Sequence, residues 1–269
     1  MKITVLGSGD AFGSGGRLQT SFHVAPGALR HEAPGALRHD TPDDADDAFL
    51  IDCGVTALMG LERSGLDSDR VATIFITHLH GDHFGGLVWW LIHAQHVARR
   101  TRPLTIAGPP GIEARFRAAA DALYPGAWGF QRQFTIAFVE LLARSTRTVG
   151  GMEVTAFDVK HPSGAPSYAL RFECGAGAAR RSIAFSGDTE WVETLRDAAR
   201  GTDLFITECY GWDTPARYHL SWSEIERELP SLEARRVLLT HMGPVMLAHR
   251  HEISHPRVAI AEDGMVLDV

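Results

Sequence analysis

Short apolar runs alternate with stretches of helical hydrophobic spacing along most of the chain. Runs of about four to eight apolar and β-branched residues predict strands, whereas apolar residues three and four apart predict helices. The predicted strands cover Lys2–Leu6, Thr20–Val24, Phe49–Asp52, Val71–Thr77, Leu104–Ala107, Phe134–Phe138, Glu153–Lys160, Tyr168–Phe172, Ser182–Phe185, Leu204–Thr207, Val237–Thr240 and Val258–Ala261. The predicted helices cover Thr56–Arg63, Phe84–Arg100, Ile112–Leu123, Glu190–Arg200 and Trp222–Leu229, and the last begins at a capping box, Ser221 to Glu224. This alternation predicts two sheets covered by helices.

One segment departs from the alternation, a tandem octad at residues 25–32 and 33–40 that runs into an acidic stretch. Proline, glycine and acidic residues oppose packing, so we predict a mobile loop over residues 25–48. A duplication without function is the simplest origin of the repeat. A flap over an active site, or His31 and His39 as extra metal ligands, are the alternatives. Nothing resembles an interdomain linker, so we predict a single domain over residues 1–269.

The composition is 45% hydrophobic and 22% charged over 269 residues, which is typical of a globular protein. The longest purely apolar run, Leu87–Ile92, is too short to span a bilayer, and the amino terminus lacks the features of a signal peptide. Cys53, Cys174 and Cys209 are odd in number and lack metal spacing, which indicates reduced thiols in a cytoplasm.

The formal net charge of −7 argues against non-specific affinity for nucleic acid or for an anionic membrane. The arginine pairs, such as Arg99-Arg100, are interpreted as solvated ends of helices and strands. We therefore expect a small anionic substrate and no membrane partner, and the sequence leaves a homodimer open.

The most specific pattern is Thr-His-x-His-x-Asp-His at residues 77–83, directly after the apolar run that begins at Val71. In an extended stretch alternate side chains share one face, so His78, His80 and Asp82 point together. His83 then enters from the first turn of the following helix. Imidazole and carboxylate are the ligands of a borderline divalent cation, so this run predicts a metal site.

Other ligand-type residues follow the ends of predicted strands. They are His161, Asp188, Glu208, His241 and Asp52. Active sites of α/β sheets lie at the carboxyl ends of the strands, so the pattern predicts that these residues converge on one site with the motif at residues 77–83.

These motifs resemble the metallo-β-lactamase superfamily, and within it the branch of ribonuclease Z and related phosphodiesterases. The resemblance runs through residues 5–9, 49–54, 78–83, 159–161, 186–189 and 239–241, and so covers nearly the whole chain. It implies an αββα four-layer sandwich with two divalent metal ions in the cleft between the sheets. Zinc is the first expectation, and manganese or iron could use the same ligands.

The resemblance also implies a role for each motif residue. His78, His80 and His161 would hold one metal ion, Asp82, His83 and His241 would hold the other, and Asp188 would bridge them. Asp52 resembles the carboxylate that orients a ligand histidine, with a simple strand-end residue as the alternative.

Three residues are predicted to be catalytic: Asp82, His219 and Glu208. The stretch from Thr207 to Ser221 resembles the ribonuclease Z-like motif, which would make His219 a general acid and Glu208 its orienting partner. The family's His-Ser-Thr reads His219-Leu220-Ser221 here, so the match is imperfect. A surface histidine beside a helix is the alternative for His219.

The charge of the expected site favours an anionic substrate. Two divalent cations, two aspartates and a bridging hydroxide leave a net charge of about +1, and such a metal pair can clamp a phosphoryl oxygen while the hydroxide attacks. We therefore expect a metal-dependent hydrolase, a phosphodiesterase acting on a small phosphodiester or a nucleotide-type substrate such as a cyclic nucleotide.

Three alternatives remain open at this stage. A carbonyl-ester hydrolase, such as a lactonase, thioesterase or β-lactamase, would use the same metals without needing His219. A tRNA 3′-processing endonuclease is less favoured, because the arm that grips tRNA would have to fit within the 26 residues between His161 and Asp188. A binding protein of the superfamily would have lost ligands, whereas all seven ligand positions are filled here.

Overall fold

The computed structural model describes residues 1–27, 47–214 and 216–269. The predicted loop over residues 25–48, with His31 and His39, therefore lies for the most part outside the described residues. None of the helices in the described ranges has the length and apolar character that crossing a bilayer requires.

The described residues form two mixed sheets of seven strands each. In chain order the strands are β1 Lys2–Gly7, β2 Ser21–Ala25, β3 Ala48–Ile51, β4 Val71–Phe75, β5 Leu104–Gly108, β6 Ile136–Glu140, β7 Thr146–Val149, β8 Met152–Asp158, β9 Tyr168–Cys174, β10 Arg181–Phe185, β11 Leu204–Glu208, β12 Arg236–Thr240, β13 Val258–Ile260 and β14 Val266–Asp268. The first sheet has the order β14-β1-β2-β3-β4-β5-β6, and the second has the order β13-β12-β11-β10-β9-β8-β7. Strands β3 to β6 run parallel in the first sheet, as do β10 to β13 in the second.

Helices cover the outer face of each sheet. They are α1 Ala57–Arg63, α2 Gly81–Phe84, α3 Gly86–His96, α4 Ile112–Leu123, α5 Thr194–Ala199, α6 Trp222–Glu228 and α7 Pro244–His249. The first four pack on the first sheet, and the last three pack on the second. Between the sheets lies a third apolar layer with interlocking aromatic rings, such as Phe49 and Phe172 at 5.2 Å between centroids. The predicted αββα sandwich is confirmed.

Most predicted elements are present with shifted ends. The capping box of α6 forms in full, with the Ser221 and Glu224 side chains each bonded to the other's backbone. The helix predicted over Phe84–Arg100 is divided at Gly85 and ends at His96. The strand predicted over Val71–Thr77 ends at Phe75, and the strand predicted over Glu153–Lys160 ends at Asp158. His78 and His161 therefore lie in loops beyond these strands.

The prediction that Arg100 is a solvated helix end is wrong. Its guanidinium is buried, and it donates hydrogen bonds to the carbonyl oxygens of residues 68, 69, 71, 102 and 103 at 2.8–3.4 Å. The side chain thus satisfies backbone carbonyls where the chain enters β4 and β5, a role that charge patterning alone does not reveal.

Candidate metal centre

The site lies where the carboxyl ends of the parallel strands meet. The loop that begins at Thr77 leaves β4 and lies directly against the turn after β3. Cys53 N–H donates to the His83 carbonyl at 2.6 Å, and Gly86 N–H donates to the Cys53 carbonyl at 2.9 Å. A Cβ on Gly54 would collide with the Asp82 carbonyl oxygen, so the close approach of the two loops requires glycine there.

The seven residues predicted to be metal ligands come together in two clusters. His78, His80 and His161 form the first, and Asp82, His83, Asp188 and His241 form the second. Within each cluster the candidate ligand atoms all lie within 4.8 Å of one another. In the first cluster His80 Nδ1 and His161 Nε2 are 2.9 Å apart.

Asp188 touches both clusters. Its Oδ1 lies 3.3 Å from His83 Nε2, and its Oδ2 lies 3.3 Å from His241 Nε2 in the second cluster. The same Oδ2 lies 4.0 Å from His78 Nε2 and 3.9 Å from His161 Nε2 in the first cluster. Asp188 therefore lies within 4.0 Å of candidate ligand nitrogens in both clusters.

Buried polar atoms without partners show that these residues fit a metal ion. His78 Nε2, His83 Nε2 and Asp188 Oδ1 are buried and have no hydrogen-bond partner. Each such atom costs about 1–3 kcal/mol when it is left unpaired, and these three point into the same space. Burial alone would raise the pKa of Asp188, but the His241 and His83 imidazoles hold it well below its usual range. An ionised carboxylate among imidazole nitrogens is a donor set for a divalent cation.

Each of four histidines has its second ring nitrogen occupied by an outer partner. His83 Nδ1 lies 2.6 Å from Asp52 Oδ2, and His78 Nδ1 lies 3.0 Å from the Thr77 hydroxyl. His161 Nδ1 lies 3.0 Å from the Tyr218 carbonyl oxygen, and His241 Nδ1 lies 3.4 Å from the Thr20 hydroxyl. A proton held on Nδ1 leaves the lone pair of Nε2 directed into the cluster, as metal ligation requires.

His219 and Glu208 form a pair at the edge of the clusters. His219 Nδ1 lies 3.1 Å from both Glu208 carboxylate oxygens and 3.9 Å from Asp188 Oδ2. The Glu208 carboxylate is buried, and it also accepts the N–H groups of Thr189 and Leu220 at 2.6 and 3.2 Å. The His219 side chain is 21% exposed. The sequence prediction that Glu208 orients His219 therefore has the geometry it needs.

Burial and the contact between Glu208 and His219 change the pKa values of both side chains. Burial raises the pKa of Glu208 to about 7, although the hydrogen bond from His219 opposes the shift. Burial lowers the pKa of His219, but the hydrogen bond and the charge of Glu208 outweigh it and raise the value to about 9. These contacts favour a protonated His219 in the metal-free protein, which is the state that a general acid needs.

A cleft of about 440 Å³ opens onto both clusters and His219. Its wall includes residues that the sequence analysis did not select: Asp10, Phe12, Tyr210, Arg217 and Tyr218. The ring of Tyr210 stacks on His219 at 5.0 Å. A single aromatic residue within the glycine-rich stretch Gly7–Gly16 was the available signal for Phe12. Glycine-rich loops leave a side chain such as this without packing partners from their own segment.

Three residues of the site have strained backbones. Asp52, Tyr218 and His241 have φ values of +59°, +70° and +55°, a region that residues other than glycine seldom adopt. Such strain clusters at functional sites, where the surrounding structure imposes it. Here it sets the side chains of Asp52 and His241, and it turns the Tyr218 carbonyl toward His161.

Comparison with known proteins identifies the family. The family model described as "Anti-Pycsar protein Apyc1" matches residues 42–264. Ribonuclease Z of Lachnospira eligens is 23% identical over 275 aligned residues, which cover 82% of this chain and 88% of that protein. The crystal structure of human tRNase Z, short form, is similar with a TM-score of 0.70 and 24% identity, over 100% of this chain and 99% of the other.

A solved diphosphatase of the PhnP family also has a TM-score of 0.70, at 17% identity over 100% of this chain and 97% of the other. The structural likenesses show the metallo-β-lactamase fold, and the family model spans most of the chain. The chain therefore belongs to the Anti-Pycsar protein Apyc1 family and has the metallo-β-lactamase fold, with buried histidine and aspartate clusters consistent with a metal site.

Proposed function

We propose that the protein is a dinuclear metal-dependent phosphodiesterase acting on a small phosphodiester, such as a cyclic nucleotide. The observation that carries the proposal is the placement of the His219–Glu208 pair beside Asp188. A residue that can donate a proton thus shares one cleft with both candidate metal clusters.

The ligand assignment follows the two clusters. His78, His80 and His161 would hold one ion, Asp82, His83 and His241 would hold the other, and Asp188 would contact both. Imidazole and carboxylate favour zinc, while manganese and iron accept the same donors. Two such ions, when bound, polarise a phosphoryl oxygen and supply hydroxide as a nucleophile near neutral pH.

His219 assists departure of the leaving alcohol. Its Nδ1 is occupied by Glu208, so Nε2 is the nitrogen available to the cleft. Protonated His219 donates this proton to the leaving oxygen as the bond to phosphorus breaks. Glu208 keeps the ring oriented, because two backbone N–H groups fix its carboxylate. A positioned general acid contributes about 10²–10⁴-fold to the rate.

The cleft supports a small substrate rather than tRNA. Its volume of about 440 Å³ lies within the range of sites for small ligands, roughly 300–1,000 Å³. Between His161 and Asp188 the chain forms the hairpin of β9 and β10, joined only by residues 175–180. The net charge of −7 also disfavours a polyanion.

The first experiment is hydrolysis of bis(p-nitrophenyl) phosphate by protein loaded with zinc or manganese. Turnover that is lost in Asp188→Ala would support phosphodiesterase chemistry at this site, because Asp188 contacts both clusters. A matched control is Asp203→Asn, since this carboxylate binds the Ser182 backbone at the opposite ends of the strands. Absence of turnover from fully metallated protein, together with hydrolysis of lactones or thioesters, would refute the proposal in favour of the carbonyl-ester class.

A further inference from the structure

One large apolar side chain stands at the cleft without a packing partner. Phe12 is 86% exposed, the highest value among the large hydrophobic residues in the described ranges, and it lines the cleft that holds the two clusters. A scattered exposed hydrophobic residue needs no explanation by itself. Phe12, however, lies on the wall of the candidate active site, where contact with a substrate would account for its exposure.

The turn that carries Phe12 is held in a fixed conformation. The buried Asp10 carboxylate accepts the backbone N–H of Phe12 at 3.2 Å and that of Ser14 at 2.9 Å, and it accepts the Ser14 hydroxyl at 2.7 Å. Gly13 adopts a φ of +69°, which closes the turn without strain. The phenyl ring is therefore presented to the cleft by an organised backbone.

The other aromatic rings of the cleft already have partners. Tyr210 stacks on His219 with 28° between the planes, and Tyr218 lies beneath the Arg217 guanidinium at 4.6 Å. Phe12 forms no ring pair with any other residue in the described part of the chain. Its face is the aromatic surface that remains available to a ligand in this cleft.

We propose that Phe12 is a specificity-determining residue that stacks on the nucleobase, or an equivalent planar ring, of the substrate. This inference deepens the proposed function and rests on it, since the phosphodiester occupies the metal clusters while the base lies against Phe12. A phenyl ring has no hydrogen-bonding groups, so it accepts any base through the π-face. Purine and pyrimidine nucleotides both bind, and substrates without a base bind more weakly.

Binding measurements test this independently of turnover. The full-length, zinc-loaded protein is titrated calorimetrically with adenosine 3′,5′-cyclic phosphorothioate, a poorly hydrolysed analogue, and with inorganic phosphate as a probe without a base. Phe12→Ala should weaken binding of the analogue about 5-fold or more, and should leave phosphate binding unchanged. Phe12→Trp should restore the affinity. Phe130→Ala is the matched control, because Phe130 is also exposed but lies beside His96, away from the cleft.

Several outcomes would overturn the assignment. One is an unchanged affinity of Phe12→Ala for the analogue, and another is an equal loss for the analogue and for phosphate, which would indicate a distorted site. A wild-type protein that binds phosphate but not the analogue would also refute it. If Phe12→Ala changes the sedimentation coefficient while its affinity is unchanged, the ring belongs to an interface between copies. A failure of phosphodiester turnover would overturn the proposed function alone, because the affinities still decide the role of Phe12.

Discussion

Asp52 sets the protonation of two candidate ligand histidines at once. Its Oδ2 accepts the His83 Nδ1 proton at 2.6 Å and the Thr77 hydroxyl proton at 2.8 Å, while its Oδ1 accepts the Thr77 N–H at 2.8 Å. Because the Thr77 hydroxyl donates to Asp52, it is free to accept the His78 Nδ1 proton at 3.0 Å. In the neutral form of each imidazole, these contacts place the proton on Nδ1 and leave Nε2 for a metal ion.

The substitution Asp52→Asn reverses this arrangement with little change of shape. Asparagine tolerates a positive φ, so the backbone at +59° is retained. The Thr77 N–H keeps the amide oxygen on its own side, which places the NH₂ group opposite His83 Nδ1 and the Thr77 hydroxyl. His83 must then carry its proton on Nε2. The Thr77 hydroxyl, now an acceptor from asparagine, donates to His78 and moves that proton to Nε2 as well.

The expected loss can be estimated for each ion. Removing an outer partner of a metal ligand costs about 10–100-fold in metal affinity or activity. His78 belongs to one cluster and His83 to the other, so each ion should lose about 10–100-fold, or about 1.4–2.8 kcal/mol. Weaker metal binding at both clusters would show that Asp52 acts on His78 through Thr77 as well as on His83 directly.

Zinc affinity can be measured by competition with a chromogenic chelator, with a cooperative thermal transition as the test of folding. Asp203→Asn is again the control, because it removes a carboxylate that binds a backbone N–H far from the clusters. We expect Asp203→Asn to bind two zinc ions with wild-type affinity and Asp52→Asn to bind both more weakly. Wild-type zinc affinities in folded Asp52→Asn would refute the claim that Asp52 controls the tautomers of His83 and His78.

Four further predictions follow from the same contacts. His219→Ala should lower kcat/KM about 100-fold or more for an alkyl phosphodiester. The loss should be less than about tenfold for bis(p-nitrophenyl) phosphate, because its leaving group needs no proton. Equal losses in the two assays would contradict the general-acid role. In the metal-free protein the NMR titration of His219 should centre near pH 9, and Glu208→Gln should lower the pKa of His219 toward its ordinary value. Because folding raises this pKa, protonated His219 stabilises the fold fully below about pH 6.5, and this contribution disappears as the pH rises through 9. Removal of bound metal with a chelator should lower Tm, and zinc at about 100 times Kd should raise the free energy of unfolding by about 2.7 kcal/mol per site. Identical melting curves with and without zinc would argue against a metal centre. Arg100→Ala should lower the free energy of unfolding in urea by about 2–4 kcal/mol because it leaves buried carbonyl oxygens unpaired, and a change below about 0.5 kcal/mol would show that water replaces the guanidinium.

Much of the fold could be predicted because its central strands, such as β3, β4 and β11, are buried on both faces and read as apolar runs. The site could be predicted for a related reason, since parallel strands bring distant sequence positions to one edge. Asp188 and His241 are 53 positions apart, yet both follow such strands. The pairing of Glu208 with His219 has no local signal, and only the family resemblance pointed to it.

The elements that were missed depend on contacts that the local sequence does not contain. Strands β7 and β14 are short and largely exposed at sheet edges, so neither shows an uninterrupted apolar run of four residues. Thr77 belongs to a β-branched, apolar stretch that reads as strand. Its N–H and hydroxyl bind Asp52 instead of a neighbouring strand, so β4 ends two residues earlier. The tertiary partner, and not the propensity, decides the boundary.

The strained residues of the site show the same conflict between local preference and global structure. Asp52, Tyr218 and His241 each adopt a left-handed conformation that costs roughly 1–2 kcal/mol. Each is held by a backbone N–H bond to a different part of the fold: to the Phe75 carbonyl at 2.7 Å, to the Glu190 carboxylate at 3.1 Å and to the Ser8 carbonyl at 3.0 Å, respectively. The His241 anchor joins the loop after β12 in the second sheet to Ser8 after β1 in the first, so this strained conformation persists only while the sheets stay packed together. The geometry of the candidate metal centre is therefore a property of the whole sandwich, and for that reason the ligand spacing in the sequence could indicate the site but could not give its conformation.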